Sequence, residues 1–307
     1  MKTALLFSGQ GSQYVGMLKD VYENSSFAKD LINHANEVLG FNLSEICFDG
    51  PVEKLKETRY TQPAIFLHSA VVFSLIGEKL DFSGVAGHSV GEYAALYAAG
   101  VLSFDDAIRL VAKRGKLMFD AGTHLPGTMF AVINLDDEKL IDVCRELTEK
   151  GEGNVVVPAN FNSPGQIVVS GSAEYLRQNV EAFKVAGARM VKELVVSGAF
   201  HSPLMEPAKL ELEAEINSIE FYDAKVPVYA NVTAEPVTDA TQIKQLLINQ
   251  LISPVLWTKT MENMNQHGFE AVIEIGPGNV LQGLAKRTVS EFSIEGIDNY
   301  QDLQKYL

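Results

Sequence analysis

The chain opens on an unbroken apolar run, Thr3-Ala-Leu-Leu-Phe7, cut off by Ser8-Gly9-Gln10. A run so short and apolar, ended by a glycine-bearing turn, predicts a strand buried on both faces. Helical patterns follow over 27–39 and 62–80. Val85-Ala86 then predicts a second buried strand, running into Gly87-His88-Ser89-Val90-Gly91 and a helix of small residues over 92–99. Strands that end in tight turns and feed helices predict a parallel sheet with helices on its faces. Farther on, 271–275 is another apolar strand, closed by Gly276-Pro277-Gly278.

The middle of the chain has a different rhythm. Strands are predicted over 128–133, 155–158, 166–170 and 190–196, with helices over 136–149 and 173–186. That order, βαββαβ, is the split βαβ of a ferredoxin-like unit. Pro126-Gly127 and Ser197-Gly198 mark its entry and exit as hinge sites. The expected organisation is a small domain over 126–197 inserted into a larger one made of 1–125 and 198–307. No repeat or low-complexity tract interrupts this scheme.

Composition narrows the function. The 307 residues are 47% hydrophobic and 21% charged, enough apolar surface for a packed core. Lys and Arg number 25 against 39 Asp and Glu, a net charge of −14 with a pI near 4.9. Such a charge repels nucleic acid and anionic membranes. Two cysteines, Cys47 and Cys144, suit neither a disulfide scaffold nor a four-thiolate zinc site, and fit a reducing cytosol. The apolar start is too short for a signal peptide, and the window 64–76 falls short of the ~20 residues of a membrane span.

Gly87-His88-Ser89-Val90-Gly91 is a G-x-S-x-G sequence in the strand-to-helix context that a nucleophilic serine requires. A sharp turn there exposes the Ser89 hydroxyl and turns the Val90 N–H toward a developing oxyanion. The plainer alternative is a small-residue turn with a buried serine. A serine nucleophile needs a base. Among six histidines, His88 adjoins Ser89 and is expected to point away, whereas His201 follows the 196–200 strand end and precedes a helix start at Ser202-Pro203. No Asp or Glu is marked out as a third member, so a main-chain or amide carbonyl is a candidate to orient the imidazole.

One cation stands out. Ser103 and Asp106 form an S-x-x-D start for a helix whose apolar stripe runs through Ala107, Leu110, Val111, Leu117 and Met118. Arg114 falls on that stripe, where a permanent charge needs an anionic partner. An internal salt bridge and a clamp for a substrate carboxylate both satisfy that need. Gly9-Gln10-Gly11 is a poor dinucleotide fingerprint, because Tyr14 replaces the third glycine. It can instead supply a second oxyanion donor from Gln10. No metal-binding or nucleotide-binding motif is present.

Taken together, these stretches resemble the malonyl-CoA:acyl carrier protein transacylases. The resemblance rests on Phe7-Ser-Gly-Gln-Gly-Ser-Gln13, Thr61-Gln-Pro63, Gly87-His-Ser-Val-Gly-Glu92 and Arg114-Gly-Lys-Leu-Met118. It continues through Asn160-Phe-Asn-Ser-Pro-Gly165, Gly198-Ala-Phe-His-Ser-Pro203, Asn249-Gln250, Pro254-Val255 with Trp257, and Glu274-Ile-Gly-Pro-Gly278. The motifs stand in the family's order over nearly the whole chain.

The resemblance implies an α/β fold, with an α/β-hydrolase-like large domain, a mostly parallel sheet and an inserted ferredoxin-like small domain. It implies that Ser89 attacks the malonyl thioester, that His201 is base and then acid, and that Gln10 and Val90 N–H groups form the oxyanion hole. Arg114 is then the clamp for the malonyl carboxylate, and the backbone carbonyl of Gln250 supports His201. Phe200 matches the form associated with malonyl rather than methylmalonyl selection, and Met118, Asn160 and Asn162 fall at substrate-pocket positions. For the two asparagines, a role in loop turns weighs at least as much.

The implied reaction is ping-pong transfer of malonyl from malonyl-CoA to the phosphopantetheine thiol of acyl carrier protein, supplying fatty acid synthesis in the cytoplasm. It needs no cofactor and no metal. The implied partners are malonyl-CoA and, transiently, acyl carrier protein, with no nucleic acid and no membrane, the enzyme acting as a monomer. Because both proteins are acidic, docking needs a local basic patch, for which Lys184, Arg189, Lys192, Lys286 and Arg287 are candidates. A serine esterase or thioesterase is the alternative reaction, and a non-catalytic carrier-binding domain the alternative class.

Overall fold

The first strand, β1 (Thr3–Phe7), lies in the middle of a six-stranded sheet, and its residues Ala4 to Phe7 are fully buried in the computed structural model, which describes residues 1–307. Its neighbours are β2 (Gly84–Gly87) on one side and β9 (Ala271–Ile275) on the other, both parallel to it. The order β10-β9-β1-β2-β7-β8 is completed by β10 (Ser293–Ile297), β7 (Val228–Tyr229) and β8 (Pro236–Val237). Only the β7–β8 pair is antiparallel, and Pro236 stands on that edge strand, where a missing N–H breaks no ladder. Helices cover both faces, so the central strands read as continuous apolar runs.

The pairing Phe7↔Gly87 sets the ends of β1 and β2 side by side. The loops beginning at Ser8 and His88 therefore leave the sheet together at its carboxyl edge, where open α/β sheets gather their chemistry. They touch: a Cβ on Gly9 would come 2.7 Å from the His88 carbonyl oxygen.

Two long helices pack behind this edge. Thr58–Ile76 begins a turn earlier than the sequence pattern predicts and carries Pro63 inside it. By length and composition the stretch Thr58–Lys79 resembles a membrane span, longer than the window seen in the sequence. Its most apolar window is 72% buried in the protein, which makes it a core helix. Phe104–His124 starts where Ser103 accepts the Asp106 N–H at 3.1 Å, and the Ser103 hydroxyl donates back to the Asp106 carboxylate at 2.6 Å.

The second sheet has the order β4-β5-β3-β6, formed by β3 (Gly127–Ile133), β4 (Val156–Ser163), β5 (Gln166–Ser172) and β6 (Met190–Glu193), all antiparallel. With helices Asp137–Lys150 and Ala173–Val185 it has the ferredoxin-like order. The period-two alternation of its strands divides its side chains. Phe130, Val132, Ile167 and Val169 face the two helices, with Leu140, Cys144, Leu176 and Phe183. Met129, Ala159 and Val168 point the other way, into the main core.

Two strand lengths differ from expectation. The strand expected over 155–158 runs on to Ser163, bent by register shifts between Pro158 and Asn160 and between Phe161 and Ser163, and it is tied to Val255 by a parallel bridge at Asn160. The strand expected over 190–196 stops at Glu193, after which Leu194 keeps one ladder bond to the Met129 carbonyl at 2.9 Å. His201 is thus reached through an irregular connection rather than from a strand end.

Candidate active site

The elbow at Ser89 is enforced by its glycines. A Cβ on Gly87 would overlap the Gly91 backbone, and one on Gly91 would overlap the Phe7 carbonyl. Ser89 itself has φ +52°, a left-handed conformation that costs a non-glycine residue energy and is held by its surroundings. Asn231, just beyond β7, does the holding: its Oδ1 accepts the Ser89 N–H at 2.7 Å and its Nδ2 donates to the Gly87 carbonyl at 2.7 Å.

His201 Nε2 lies 2.8 Å from Ser89 Oγ, and its Nδ1 lies 2.9 Å from the Gln250 backbone carbonyl. A carbonyl only accepts, so Nδ1 carries the proton and Nε2 presents a lone pair to the serine hydroxyl. Burial, and secondarily the nearby Arg114 cation, push the imidazole down to about 3, so it is neutral at neutral pH. His88 points away from Ser89 as expected. Its Nε2 pairs with Asn162 Oδ1 at 2.8 Å, its ring packs near Trp257, and burial lowers its basicity.

Arg114 is fully buried and donates to Gln62 Oε1 at 2.7 Å, Gln250 Oε1 at 2.9 Å and Ser89 Oγ at 3.1 Å, all uncharged. The Tyr93 ring lies 5.7 Å from the guanidinium carbon, and Arg114 Nε has no partner. The internal salt bridge is therefore not what the structure shows. A buried guanidinium without a contacting carboxylate, touching the nucleophile, has the charge and the geometry to accept an anion.

Main-chain N–H groups of Gln10 and Val90 make no hydrogen bond within the protein; Val90 follows Ser89 in the chain, and Gln10 lines the same cavity as Ser89. The Gln10 side chain is anchored to Thr58 Oγ1 at 3.3 Å, itself 2.8 Å from Ser197 Oγ. A cavity of about 150 Å³ opens on Ser89 and His201. Met118, Phe200, Asn160 and Asn162 line it with Met129 and Val168 of the small sheet. Both asparagines stand on β4 rather than in loop turns, Asn162 committed to His88. Met118 accepts a hydrogen bond from Gln62 at 3.2 Å, which fixes the amide that holds Arg114. A larger depression of about 790 Å³ lies on the surface near Arg59, Arg109 and Lys113, but it contains no nucleophile and base.

Three further polar residues complete the site: Gln62 and Glu92, which stand in the motifs quoted above without a role, and Asn231, which the sequence does not mark at all. Glu92 is buried, and its carboxylate accepts from Gln250 Nε2 at 2.6 Å and from the Asn231 N–H at 3.2 Å. Burial pushes it up to about 7, against the pull of those hydrogen bonds and of Arg114. The available signal was a lone charge in an otherwise uncharged helix, Gly91–Ala98.

A hydroxyl nucleophile, a neutral imidazole, two free N–H donors and a buried cation define a serine enzyme that carries acyl groups covalently. The chain belongs to the acyl transferase family: the model of the acyl transferase domain matches residues 4–305. Over 303 residues it is 41% identical to a malonyl CoA-acyl carrier protein transacylase of Staphylococcus aureus, covering 99% of this chain and 97% of that one. A relative of the same name from Haemophilus influenzae is 39% identical, covering 100% and 99%. An acyl carrier protein S-malonyltransferase from Vibrio cholerae superposes with a TM-score of 0.93 at 41% identity, covering 99% of both chains. A malonyl-transacylase in complex with a type II polyketide acyl-carrier protein gives 0.94 at 39%, covering 100% of this chain and 99% of that one.

Proposed function

We propose that this chain transfers malonyl groups from malonyl-CoA to acyl carrier protein through a malonyl ester on Ser89. The observation that carries the reading is Arg114, a fully buried guanidinium 3.1 Å from the nucleophile and free of any contacting carboxylate. Its natural partner is the far carboxylate of a dicarboxylic acyl unit. The names of the relatives favour this transfer over simple ester hydrolysis.

The chemistry follows from the contacts. With the malonyl carboxylate on Arg114, the thioester carbonyl lies over Ser89. His201 Nε2 takes the hydroxyl proton as Oγ attacks the carbonyl carbon, and the Gln10 and Val90 N–H groups receive the oxyanion. Collapse breaks the C–S bond, and the coenzyme A sulfur leaves with the proton from His201. The carrier's phosphopantetheine thiol then gives its proton to His201, attacks the ester carbonyl, and Oγ departs, regaining the proton. Atoms balance without a cofactor or metal. The Gln250 carbonyl fixes the tautomer where a carboxylate would otherwise stand.

The bound malonyl carboxylate has a second effect. Arg114 opposes a second positive charge on His201, so an anion on the guanidinium lifts that opposition as the imidazolium forms. The cognate acyl group thereby helps to activate its own base.

For docking of the acidic carrier we favour one end of the small sheet. Arg189 donates its N–H to the Ile133 carbonyl, and Ile133 pairs with Gln166, whose side chain accepts from Arg287 at 2.9 Å. Arg189, Lys192, Lys286 and Arg287 are exposed there, whereas Lys184 is occupied by Glu181 at 3.0 Å. We read the functional units as 1–125 with 198–307 and an inserted 126–197, closing on the cavity. The site is complete within one chain, which supports a monomer, and two buried free thiols suit a reducing cytosol.

The test is transfer of labelled malonyl from coenzyme A with and without carrier. Carrier-dependent label transfer supports the reading; release of free malonate at a rate indifferent to the carrier would sink it.

A further inference from the structure

The Gln250 side chain stands between a buried guanidinium and a buried carboxyl group. Its Oε1 accepts from Arg114 at 2.9 Å, while its Nε2 donates to the Glu92 carboxylate at 2.6 Å and to the Ser89 carbonyl at 3.0 Å. Turned over, the amide would aim its NH₂ at the guanidinium, which has no acceptor to offer, and its oxygen at the Glu92 carboxyl, which repels it when ionised. Its orientation is therefore set by the guanidinium on one side and the carboxyl on the other.

We propose that Glu92 is a positioning residue for malonyl selection: by fixing the Gln250 amide it aims Arg114 at the acyl cavity. This rests on the malonyl-transfer reading above. The same carboxylate reaches the rest of the machinery. It accepts the N–H of Asn231, whose side chain holds the Ser89 N–H, and it steadies the residue whose backbone carbonyl supports His201. One buried carboxyl thus ties clamp, base and elbow together.

The spacing also matters. A carboxylate in direct contact with Arg114 would form a closed ion pair and leave little attraction for a substrate anion. Removing the carboxylate altogether would leave a buried cation with no nearby counter-charge. One intervening amide gives an intermediate arrangement. When ionised, Glu92 compensates the guanidinium from behind, and the Nη2 that Gln250 holds also donates to Ser89 Oγ, on the side from which an acyl group would arrive. Packing alone does not require a charge here, since the other residues of the helix Gly91–Ala98 are uncharged.

Glu92→Gln tests this. The new amide keeps the size and can donate to Gln250 Oε1, which frees Gln250 to turn over. Values of kcat and KM are measured separately for malonyl-CoA and acetyl-CoA with carrier as acceptor. Labelling of Ser89 by an uncharged fluorophosphonate reports whether elbow and base are intact. The expected result is a fall of about tenfold or more in the malonyl-to-acetyl ratio of kcat/KM, carried by KM for malonyl-CoA, with labelling within about threefold of wild type. An unchanged ratio in a normally labelled variant overturns the proposal. Should Glu92→Gln fail to fold, Glu92→Asp retains the charge at a shorter reach, and its ratio decides in the same way. A wild-type enzyme with no preference for malonyl would overturn the underlying function as well, which separates the two failures.

Discussion

Arg114→Ala separates clamp from scaffold more sharply than any other change. The guanidinium would give a malonyl carboxylate charge-assisted hydrogen bonds in a buried setting, each worth about 1.5–3 kcal/mol. Because Nη1 and Nη2 also serve Gln62 and Gln250, a loss of about 3 kcal/mol is the reasonable scale, or roughly 150-fold in kcat/KM for malonyl-CoA. Acetyl-CoA has no carboxylate to lose. It gains, if anything, since Arg114 is the charged neighbour that weakens His201 as a base. The expected outcome is therefore a collapse of the malonyl-to-acetyl ratio by about a hundredfold with acetyl transfer kept or raised. The assay is rapid-quench transfer of each labelled acyl group to carrier, alongside a melting curve, because Gln62 and Gln250 each lose a donor. If the two substrates fell together in a folded variant, the guanidinium would be a structural element and the clamp argument would be wrong.

Other outcomes follow from the same geometry. Incubation with malonyl-CoA should leave one malonyl adduct on the wild-type chain by intact-mass measurement and none on Ser89→Ala; equal adducts on both would place the nucleophile elsewhere. His201→Ala should slow acylation by ~10²–10⁴-fold in single-turnover kinetics. Held down to about 3, His201 protonates in the folded chain only well below the ordinary histidine range, so fluorophosphonate labelling of Ser89 should stay flat from neutral to about pH 5, and a loss centred near 6.5 would contradict its burial. The same depression has a stability consequence of known sign. Between the unfolded value near 6.5 and about 3 the unfolded chain binds the extra proton, so this group's contribution falls as pH falls through that window, and His201→Gln should flatten the acid side of a Tm-against-pH curve. Gly91→Ala, whose methyl would meet the Phe7 carbonyl, should cost several kcal/mol or abolish labelling; full activity and an unchanged Tm would show that the close approach is not enforced.

Much of this was legible in the sequence because it is local. The strand at Thr3–Phe7, the elbow glycines and the βαββαβ order leave short-range patterns of period two or of fixed spacing. Arg114 was visible as a charge at the wrong place on a helical stripe. Gln10 was legible as the middle of a glycine turn after the first strand, whereas Gln250 and the asparagines had no local signal and came through the family resemblance. What neither source gave was the wiring: Glu92 to Gln250 and Asn231 to Ser89 join residues 158 and 142 positions apart, and such contacts imprint no periodicity. The strand ends failed for a related reason. β4 continues to Ser163 because Val255 pairs with it from across the fold, and its Asn-rich end looks like a loop to any local reading.

The walls of the acyl cavity have a double membership. Met118, Met129, Val168 and Phe200 line it, and all four belong to the main hydrophobic core, where the small sheet is seated on the large one. Whittling any of them down to admit a bulkier acyl group also hollows the seam between the sheets, at a cost of about 2–5 kcal/mol for a large-to-alanine change. A broader diet and a looser frame are one and the same substitution here, so variants that accept new acyl groups should need reinforcement elsewhere to stay folded.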